Sequence, residues 1–133
     1  MLVIASTNKG KIEEFKNLLN DFPLEVIPQP NNLEVDEIGK NFFENARLKA
    51  IAAARVTGKI SLADDSGLCV RSLDGAPGIH SSRYAKTDQE RVCKLLNELK
   101  SFHDRSAYFA AAFCFEPPER VIFRAAASNF FEE

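Results

Sequence analysis

The feature that most constrains the fold is a short apolar run, residues 60–63, that leads directly into two adjacent carboxylates, Asp64 and Asp65. We expect the run to form a strand that ends here, which places the carboxylates at the edge of a sheet where α/β proteins bind ligands. Because successive strand residues point to opposite faces, one carboxylate is expected to face the site and the other to brace backbone donors. Carboxylate oxygens suit Mg²⁺, which proteins usually hold with one or two acidic residues and substrate phosphates. For the pair taken alone, an Asx turn that caps the strand is the alternative.

A second polar segment follows the N-terminal apolar run 2–5, for which the sequence predicts a buried strand. The segment consists of Ser6, Thr7, Asn8, Lys9, Gly10 and Lys11. A helical pattern begins next, with one apolar face made of Ile12, Phe15, Leu18 and Leu19. A strand, a polar turn and a helix N-terminus bring backbone N–H groups, the positive end of the helix dipole and ammonium groups together, which predicts an anion site. The segment is not a Walker A loop, and an ordinary N-cap turn with solvated lysines is the alternative.

A third segment joins an acidic loop to a helix. Asn41 and Glu44 have the spacing of an N-cap and its partner, and they predict a helix over 42–56 that ends near Gly58. Its small-residue stripe, which allows close packing on a sheet, is Phe42, Ala46, Ala50 and Ala53. Asn45 and Lys49 lie four apart, so they share a face from which both are expected to reach a phosphate. Solvated helix residues are the alternative for both.

The remaining pattern predicts one more helix and a hairpin. Thr87 and Glu90 form a capping box for a helix through Lys100. Its inner face is expected to contain Val92, Leu95, Leu96 and Leu99. The predicted order is strand, helix, strand, helix, strand, short strand, helix and hairpin, in a single domain over residues 1–133. This is the α/β class, with a mixed central sheet and flanking helices.

Composition narrows the class further. A formal charge of −2 offers no electrostatic basis for binding nucleic acid. The longest apolar run, residues 109–115, is too short to span a bilayer, and the N-terminus lacks the pattern of a signal peptide, so we expect a cytoplasmic protein without a membrane partner. The widely spaced Cys69, Cys93 and Cys114 support neither a disulfide framework nor a zinc site, and buried free thiols are expected.

Four motifs occur together in one order. They are Ser-Thr-Asn-Lys-Gly-Lys at 6–11, Glu-Ile-Gly with Phe-x-Glu-Asn-Ala and Lys-Ala at 37–50, Ala-Asp-Asp-Ser-Gly-Leu at 63–68, and Gly-Ala-Pro-Gly-Ile-x-Ser-x-Arg-Tyr at 75–84. In this order they resemble the inosine triphosphate pyrophosphatase family, also described as the Ham1-like pyrophosphatases of non-canonical purine nucleotides. The likeness covers residues 2–85 and continues more weakly to about Phe115. It implies an elongated ITPase-like (Maf/Ham1) fold with a nucleotide cleft between two lobes, usually in a homodimer.

The resemblance also implies a reaction. In this reaction, inosine, deoxyinosine and xanthosine triphosphates are hydrolysed to a monophosphate and pyrophosphate with the help of Mg²⁺. The hydrolysis removes these nucleotides and so maintains the nucleotide pool. Carried over by position, Asp65 is the general base and a metal ligand, and the second metal ligand falls at Asp36, with neighbouring Glu37 as a substitute. Residues 6–11 hold the triphosphate, Lys49 neutralises phosphate charge and Ser66 touches the substrate.

The C-terminal part departs from that family. Its Gly-Phe-Gly-Tyr-Asp and Ser-His-Arg segments, which recognise the purine, do not occur in this chain. Residues 106–115 predict a strand. The prolines at 117 and 118 predict a turn that leads into a second strand at 121–123. Residues 125–133 match nothing in the family. We therefore expect a truncated C-terminal part. A catalytically impaired fragment that retains phosphate and metal binding, or association with a second subunit, is the alternative function.

Overall fold

The computed structural model describes residues 1–118. Their elements are β1 (Leu2–Ile4), α1 (Lys9–Leu18), β2 (Val26–Pro28), α2 (Phe42–Thr57), β3 (Ser61–Val70), α3 (Asp88–Glu98) and β4 (Ala107–Glu116). The four strands form one sheet in the order β2-β1-β3-β4. β1 pairs in parallel with β2 and with β3, whereas β4 pairs antiparallel with β3. The predicted α/β class with a mixed sheet is therefore confirmed.

Alternation along the strands divides the core into two layers. Leu2, Ile4 and Leu62 pack with residues of α1 on one face of the sheet. Val3 and Ala63 pack on the other face, against α2. Each helix therefore covers one face of the sheet. Alternate residues of β3 face alternate helices, so the even-numbered residues face α1 and the odd-numbered residues face α2.

Helix α2 begins and ends where the sequence predicts. The Asn41 side chain caps its N-terminus by accepting from the Glu44 N–H, and Gly58 ends it in a left-handed conformation, with φ of 67°. The predicted stripe is confirmed at its alanines, because Ala46, Ala50 and Ala53 are fully buried. Small side chains let the helix axis approach the sheet closely, so the polar residues that α2 also carries are brought near β3.

Strand β3 is longer than predicted, and the expected end after residue 63 is wrong. Asp64 and Asp65 lie inside a ten-residue strand and pair with β4 opposite Phe113 and Ala112. β1 stops sooner, because its pairing with β3 reaches only Leu62. The crevice beside the acidic pair is therefore opened by the end of β1, while the antiparallel ladder with β4 carries β3 onward.

Two 3₁₀ segments, Arg71–Leu73 and Gly78–Arg83, occupy the position of the predicted short strand. Their link to the sheet is an isolated bridge between Cys69 and Pro77 and a side-chain contact from Ser81. Ser81 Oγ accepts the Leu68 N–H at 3.0 Å and donates to the Gly78 carbonyl at 2.6 Å. The Ser81 hydroxyl thus accepts the hydrogen bond of the Leu68 N–H at the edge of β3, where a neighbouring strand would otherwise pair.

Several predicted apolar contacts are wrong. Leu18 is 75% exposed, because α1 turns only Ile12 and Phe15 fully into the core. Helix α3 has the predicted capping box, but Val92 and Leu96 are more than half exposed, and the buried member of the predicted inner face is Leu99, which caps the helix C-terminus. The structure leaves the three cysteines free as predicted, although Cys93 is exposed. The second hairpin strand at 121–123 and the tail 125–133 lie outside the described residues.

Gly67→Ala is expected to lower the free energy of unfolding by about 1–3 kcal/mol, as overpacking in a close contact does. A Cβ at residue 67 would lie 2.5 Å from Ser81 Oγ and closer still to the Gly78 carbonyl oxygen, so the segment Gly78–Arg83 would have to move off β3. Urea unfolding measures the change. Gly10→Ala is the matched control, because it lies in α1, where alanine is the better helix former, and it is expected to cost less. Equal stability of the two variants would contradict this packing.

Candidate active site

The two adjacent carboxylates of β3 face opposite layers of the protein. Asp64 Oδ1 lies 2.9 Å from Lys11 Nζ of α1, and Asp65 Oδ1 lies 3.7 Å from Lys49 Nζ of α2. The prediction that the pair divides between two faces is therefore confirmed. The expected role of the second carboxylate is wrong, because Asp64 meets an ammonium group where backbone donors were expected.

Asp65, Lys49 and Glu37 form a cluster, which we call the acidic cleft. Lys49 Nζ lies 3.3 Å from Glu37 Oε1, so its ammonium group lies between two carboxylates. The side chains of Lys49, Glu37 and Asp65 are 19%, 27% and 13% exposed. Arg83 approaches the outer side of the cleft, with Nη2 at 3.9 Å from Glu37 Oε2. The 3₁₀ segment that Ser81 fixes to β3 ends at this arginine, for which the sequence analysis assigned no role.

The structure distinguishes the two candidates for the second acidic residue. Glu37 turns inward to Lys49, whereas Asp36 is exposed and makes no ion pair among residues 1–118. The Ile38 N–H donates to the Asp36 carbonyl at 3.0 Å, so the backbone turns tightly at Glu37, and only the Glu37 side chain makes an ion pair in the cleft. The geometry favours Glu37, the substitute, over Asp36.

The carboxyl of Asp65 is perturbed by its surroundings in the acidic cleft. Burial raises the pKa of its carboxyl above the ordinary value of 3.8, the Lys49 ammonium opposes this, and the charge of Glu37 adds to the increase. Its Oδ2 is buried and has no hydrogen bond of good geometry within the described residues, although the Asn45 amide is close enough to the carboxyl to lower its pKa by hydrogen bonding. A buried carboxylate oxygen without a partner needs an explanation, and a bound water or cation provides one.

The donor set fits a hard divalent cation. Glu37 Oε1 and Asp65 Oδ1 both face the Lys49 ammonium group, and the second oxygen of Asp65, Oδ2, is buried without a hydrogen-bond partner among residues 1–118. Residues 1–118 contain no group of three or more His, Cys, Asp or Glu side chains that could hold a metal ion. Two carboxylates suffice for Mg²⁺, because it keeps several waters and takes further oxygens from a bound phosphate. A structural zinc site, in contrast, needs four protein ligands.

Asn45 has a different position from the one predicted. It is 1% exposed, and its Oδ1 accepts the Gly39 N–H at 2.7 Å, so it cannot reach a phosphate in solvent. Its amide also lowers the pKa of Asp65. Asn45 therefore ties the loop that carries Glu37 to the helix that carries Lys49. Gly39 allows this contact, since a Cβ there would lie 2.6 Å from Asn45 Oδ1.

The N-terminal turn is braced by its own side chains. Asn8 Oδ1 caps α1 by accepting the N–H groups of Gly10 and Lys11 at 3.0 and 3.3 Å. Ser6 Oγ accepts the Asn8 N–H at 3.0 Å. Thr7 and Lys9 are exposed. The helix N-terminus that was predicted as an anion site is thus present and rigidly capped, and the ion pair between Lys11 and Asp64 ties it to β3. Binding of a triphosphate by residues 6–11 stays a prediction.

Ser66 follows Asp65 in β3 and is half-buried. Strand alternation places it on the Asp64 face, which is the face of the N-terminal turn. Its contact with substrate also stays a prediction.

Residues 2–128 match the sequence model of the Ham1 family. The chain belongs to the Ham1 family. Similar curated proteins include two from Prochlorococcus marinus that are named dITP/XTP pyrophosphatase. The relative from strain NATL1A is 58% identical over 121 residues, which are 91% of this chain and 62% of the relative. The relative from another strain of this species is 62% identical over 113 residues, which are 85% of this chain and 56% of the relative. The chain thus spans about three fifths of the length of these relatives.

Solved structures of the family share the fold. A HAM1 protein from Coxiella burnetii superimposes with a TM-score of 0.81 at 43% identity, over 86% of this chain and 61% of that one. The Staphylococcus aureus Ham1 protein gives a TM-score of 0.79 at 44% identity, over 89% of this chain and 64% of that one. The family resemblance and the ITPase-like (Maf/Ham1) fold are therefore confirmed. Within the described residues, no helix combines the length and hydropathy needed to cross a membrane.

Asp65→Asn is expected to raise the melting temperature at neutral pH in metal-free buffer. The pKa of Asp65 is higher in the folded protein than its ordinary value of 3.8, so ionisation of this group at neutral pH lowers the free energy of unfolding. The gain should shrink as the pH falls through the raised pKa and vanish below 3.8, where the carboxyl is protonated in both states. Thermal unfolding in EDTA across this range measures it.

Asp64→Asn is the matched control for this prediction. It removes the same charge one residue away but breaks the ion pair with Lys11, so it should not stabilise the protein. A lower melting temperature for Asp65→Asn than for the unmodified chain at neutral pH would contradict the electrostatic account.

Proposed function

We propose that this chain supplies the phosphate-binding and metal-binding residues of a pyrophosphatase for non-canonical purine nucleoside triphosphates such as ITP, dITP and XTP. The observation that carries the proposal is the acidic cleft, where Lys49 lies between Glu37 and Asp65 Oδ1 and the other oxygen of Asp65 is buried without a hydrogen-bond partner in the described part of the chain. The name dITP/XTP pyrophosphatase, borne by similar proteins, supports the substrate class. Removal of such nucleotides from the cell's pool, a cytoplasmic location and a homodimer are parts of the same proposal.

Asp65 acts as the general base. Its carboxylate accepts a proton from the water that attacks the α-phosphorus, and the bond from that phosphorus to the bridging oxygen of the β-phosphate breaks. The burial that raises the pKa of Asp65 makes the carboxylate a stronger proton acceptor, while Lys49 favours the ionised form that the reaction needs.

Three lysines reduce the charge on the leaving pyrophosphate. Lys49 does so from the cleft, and Lys9 and Lys11 do so from the first turn of α1 on the other face of the sheet, where Lys11 pairs with Asp64. Ser6, Thr7, Asn8 and Gly10 complete the phosphate-binding turn, and Ser66 touches the substrate. Glu37 and Asp65 are the residues that would hold Mg²⁺, and the ion would supply positive charge to offset the phosphate oxygens and to acidify the attacking water.

Hydrolysis of dITP is expected to release deoxyinosine monophosphate and pyrophosphate as primary products, because the lysines stabilise the β- and γ-phosphates as one leaving group. Asp65→Asn should lower the rate by roughly a hundredfold or more, since it removes the base and weakens the metal site. A phosphorus NMR time course measures both. Asp64→Asn, the matched control on the opposite face, should lose about tenfold at most, as it disturbs only the Lys11 contact. Orthophosphate as a primary product would contradict the proposal.

Glu37→Gln and Asp36→Asn test which acid is the second metal ligand. Glu37→Gln should raise the Mg²⁺ concentration for half-maximal activity by at least on the order of tenfold, the cost typical of losing even an indirect partner of a metal ligand. Asp36→Asn changes the adjacent and exposed carboxylate, so its Mg²⁺ dependence should equal that of the unmodified chain. The reverse pattern would assign the ligand to Asp36, as the motif alone suggested.

A further inference from the structure

Lys49 occupies the space between the two carboxylates that are proposed to hold the metal. Its Nζ lies 3.3 Å from Glu37 Oε1 and 3.7 Å from Asp65 Oδ1. Within the described residues, the other basic group near these acids is Arg83, which contacts the outer oxygen of Glu37 at 3.9 Å. The ammonium group of Lys49 is therefore the charge that separates Glu37 from Asp65.

Two carboxylates with little exposure need a cation between them. Each is less than a third exposed, so water screens their repulsion poorly. Lysine suits this position, since its ammonium is a compact point charge on a flexible stem of four carbons.

An ammonium group and a divalent cation exclude each other from such a space. Mg²⁺ takes its oxygen ligands at about 2.1 Å, and a second positive charge beside the same oxygens is strongly repelled. Lys49 must therefore leave both carboxylates before they can bind the metal. Its flexible stem allows this movement without a change in α2.

We propose that Lys49 is the internal counter-ion of the free protein, and that it holds the metal site closed until a triphosphate attracts its ammonium group away from Glu37 and Asp65. This inference rests on the proposed function for the position of the metal. It extends the role of Lys49 from a phosphate contact to a residue that couples two ligands. Because such coupling is reciprocal, the phosphate and the metal should each strengthen the binding of the other.

A titration of the 133-residue chain with Mg²⁺ alone, without nucleotide, tests the inference. Lys49→Met and Lys49→Gln remove the charge, and calorimetry should show Mg²⁺ binding about tenfold tighter than in the unmodified chain, because a competing unit charge has left the site. Lys49→Arg keeps the charge and should keep the weak affinity. Lys16→Met is the matched control, since it removes a lysine that pairs with Glu13 on the exposed side of α1.

Melting temperatures in EDTA and in Mg²⁺ provide the second measurement. Without Lys49 the two carboxylates repel each other, so both neutral variants should melt lower than the unmodified chain in EDTA and recover in Mg²⁺ by more than the unmodified chain does. Neutral variants that fold only in Mg²⁺ would give the same support. Variants that stay unfolded in Mg²⁺ would overturn the inference, because the metal should replace the ammonium group.

Equal or weaker Mg²⁺ affinity in both neutral variants would overturn the inference, and so would undetectable binding in every variant. The readout contains no nucleotide, so the proposed hydrolysis can fail while this coupling holds. If the unmodified chain hydrolyses dITP but the neutral variants bind Mg²⁺ with unchanged affinity, the proposed function stands and the coupling is wrong. Lys49 would then be a phosphate contact alone.

Discussion

Alternation along β3 is the constraint on which the rest of the site depends. It directs Asp64 and Asp65 to opposite faces of the sheet, where a different helix supplies a lysine to each. α1 is thereby fixed with its capped N-terminus against one face, and α2 with its alanine stripe against the other. A shift of one residue in the pairing of β3 would exchange the two carboxylates and separate both ion pairs.

The acidic cleft is maintained at a cost in stability. Asp65 is half-buried, one of its oxygens is buried without a hydrogen bond of good geometry to any described residue, and its pKa is raised because burial penalises its charge. Asn45, Gly39 and Lys49 reduce that penalty by holding the loop and by placing a positive charge beside it. Such a compromise is expected where a carboxylate must remain available for a cation and a proton, since a fully satisfied carboxylate would bind neither.

Local rules were enough to predict the helix boundaries. The caps at Asn41 and Thr87 and the glycine at 58 depend on hydrogen bonds within one turn, which adjacent residues determine. The same rules failed for β3, because its length depends on a ladder with β4, a strand far later in the chain. They also assigned Leu18 of α1 and Val92 and Leu96 of α3 to the core, since periodicity shows that a face is apolar but not whether another element covers it.

The sequence by itself determined the chemical groups of the site, their order along the chain and the family to which they belong. Glycine at 39 and 67, the paired acids and the basic turns are all visible in the residues, since each needs a particular side chain or none. Only the tertiary structure decided that Glu37 faces the cleft while Asp36 faces solvent, that Asn45 is buried and that Lys49 lies between two carboxylates. These depend on how a loop, a helix and a strand distant in sequence meet, and packing across the sheet sets that geometry.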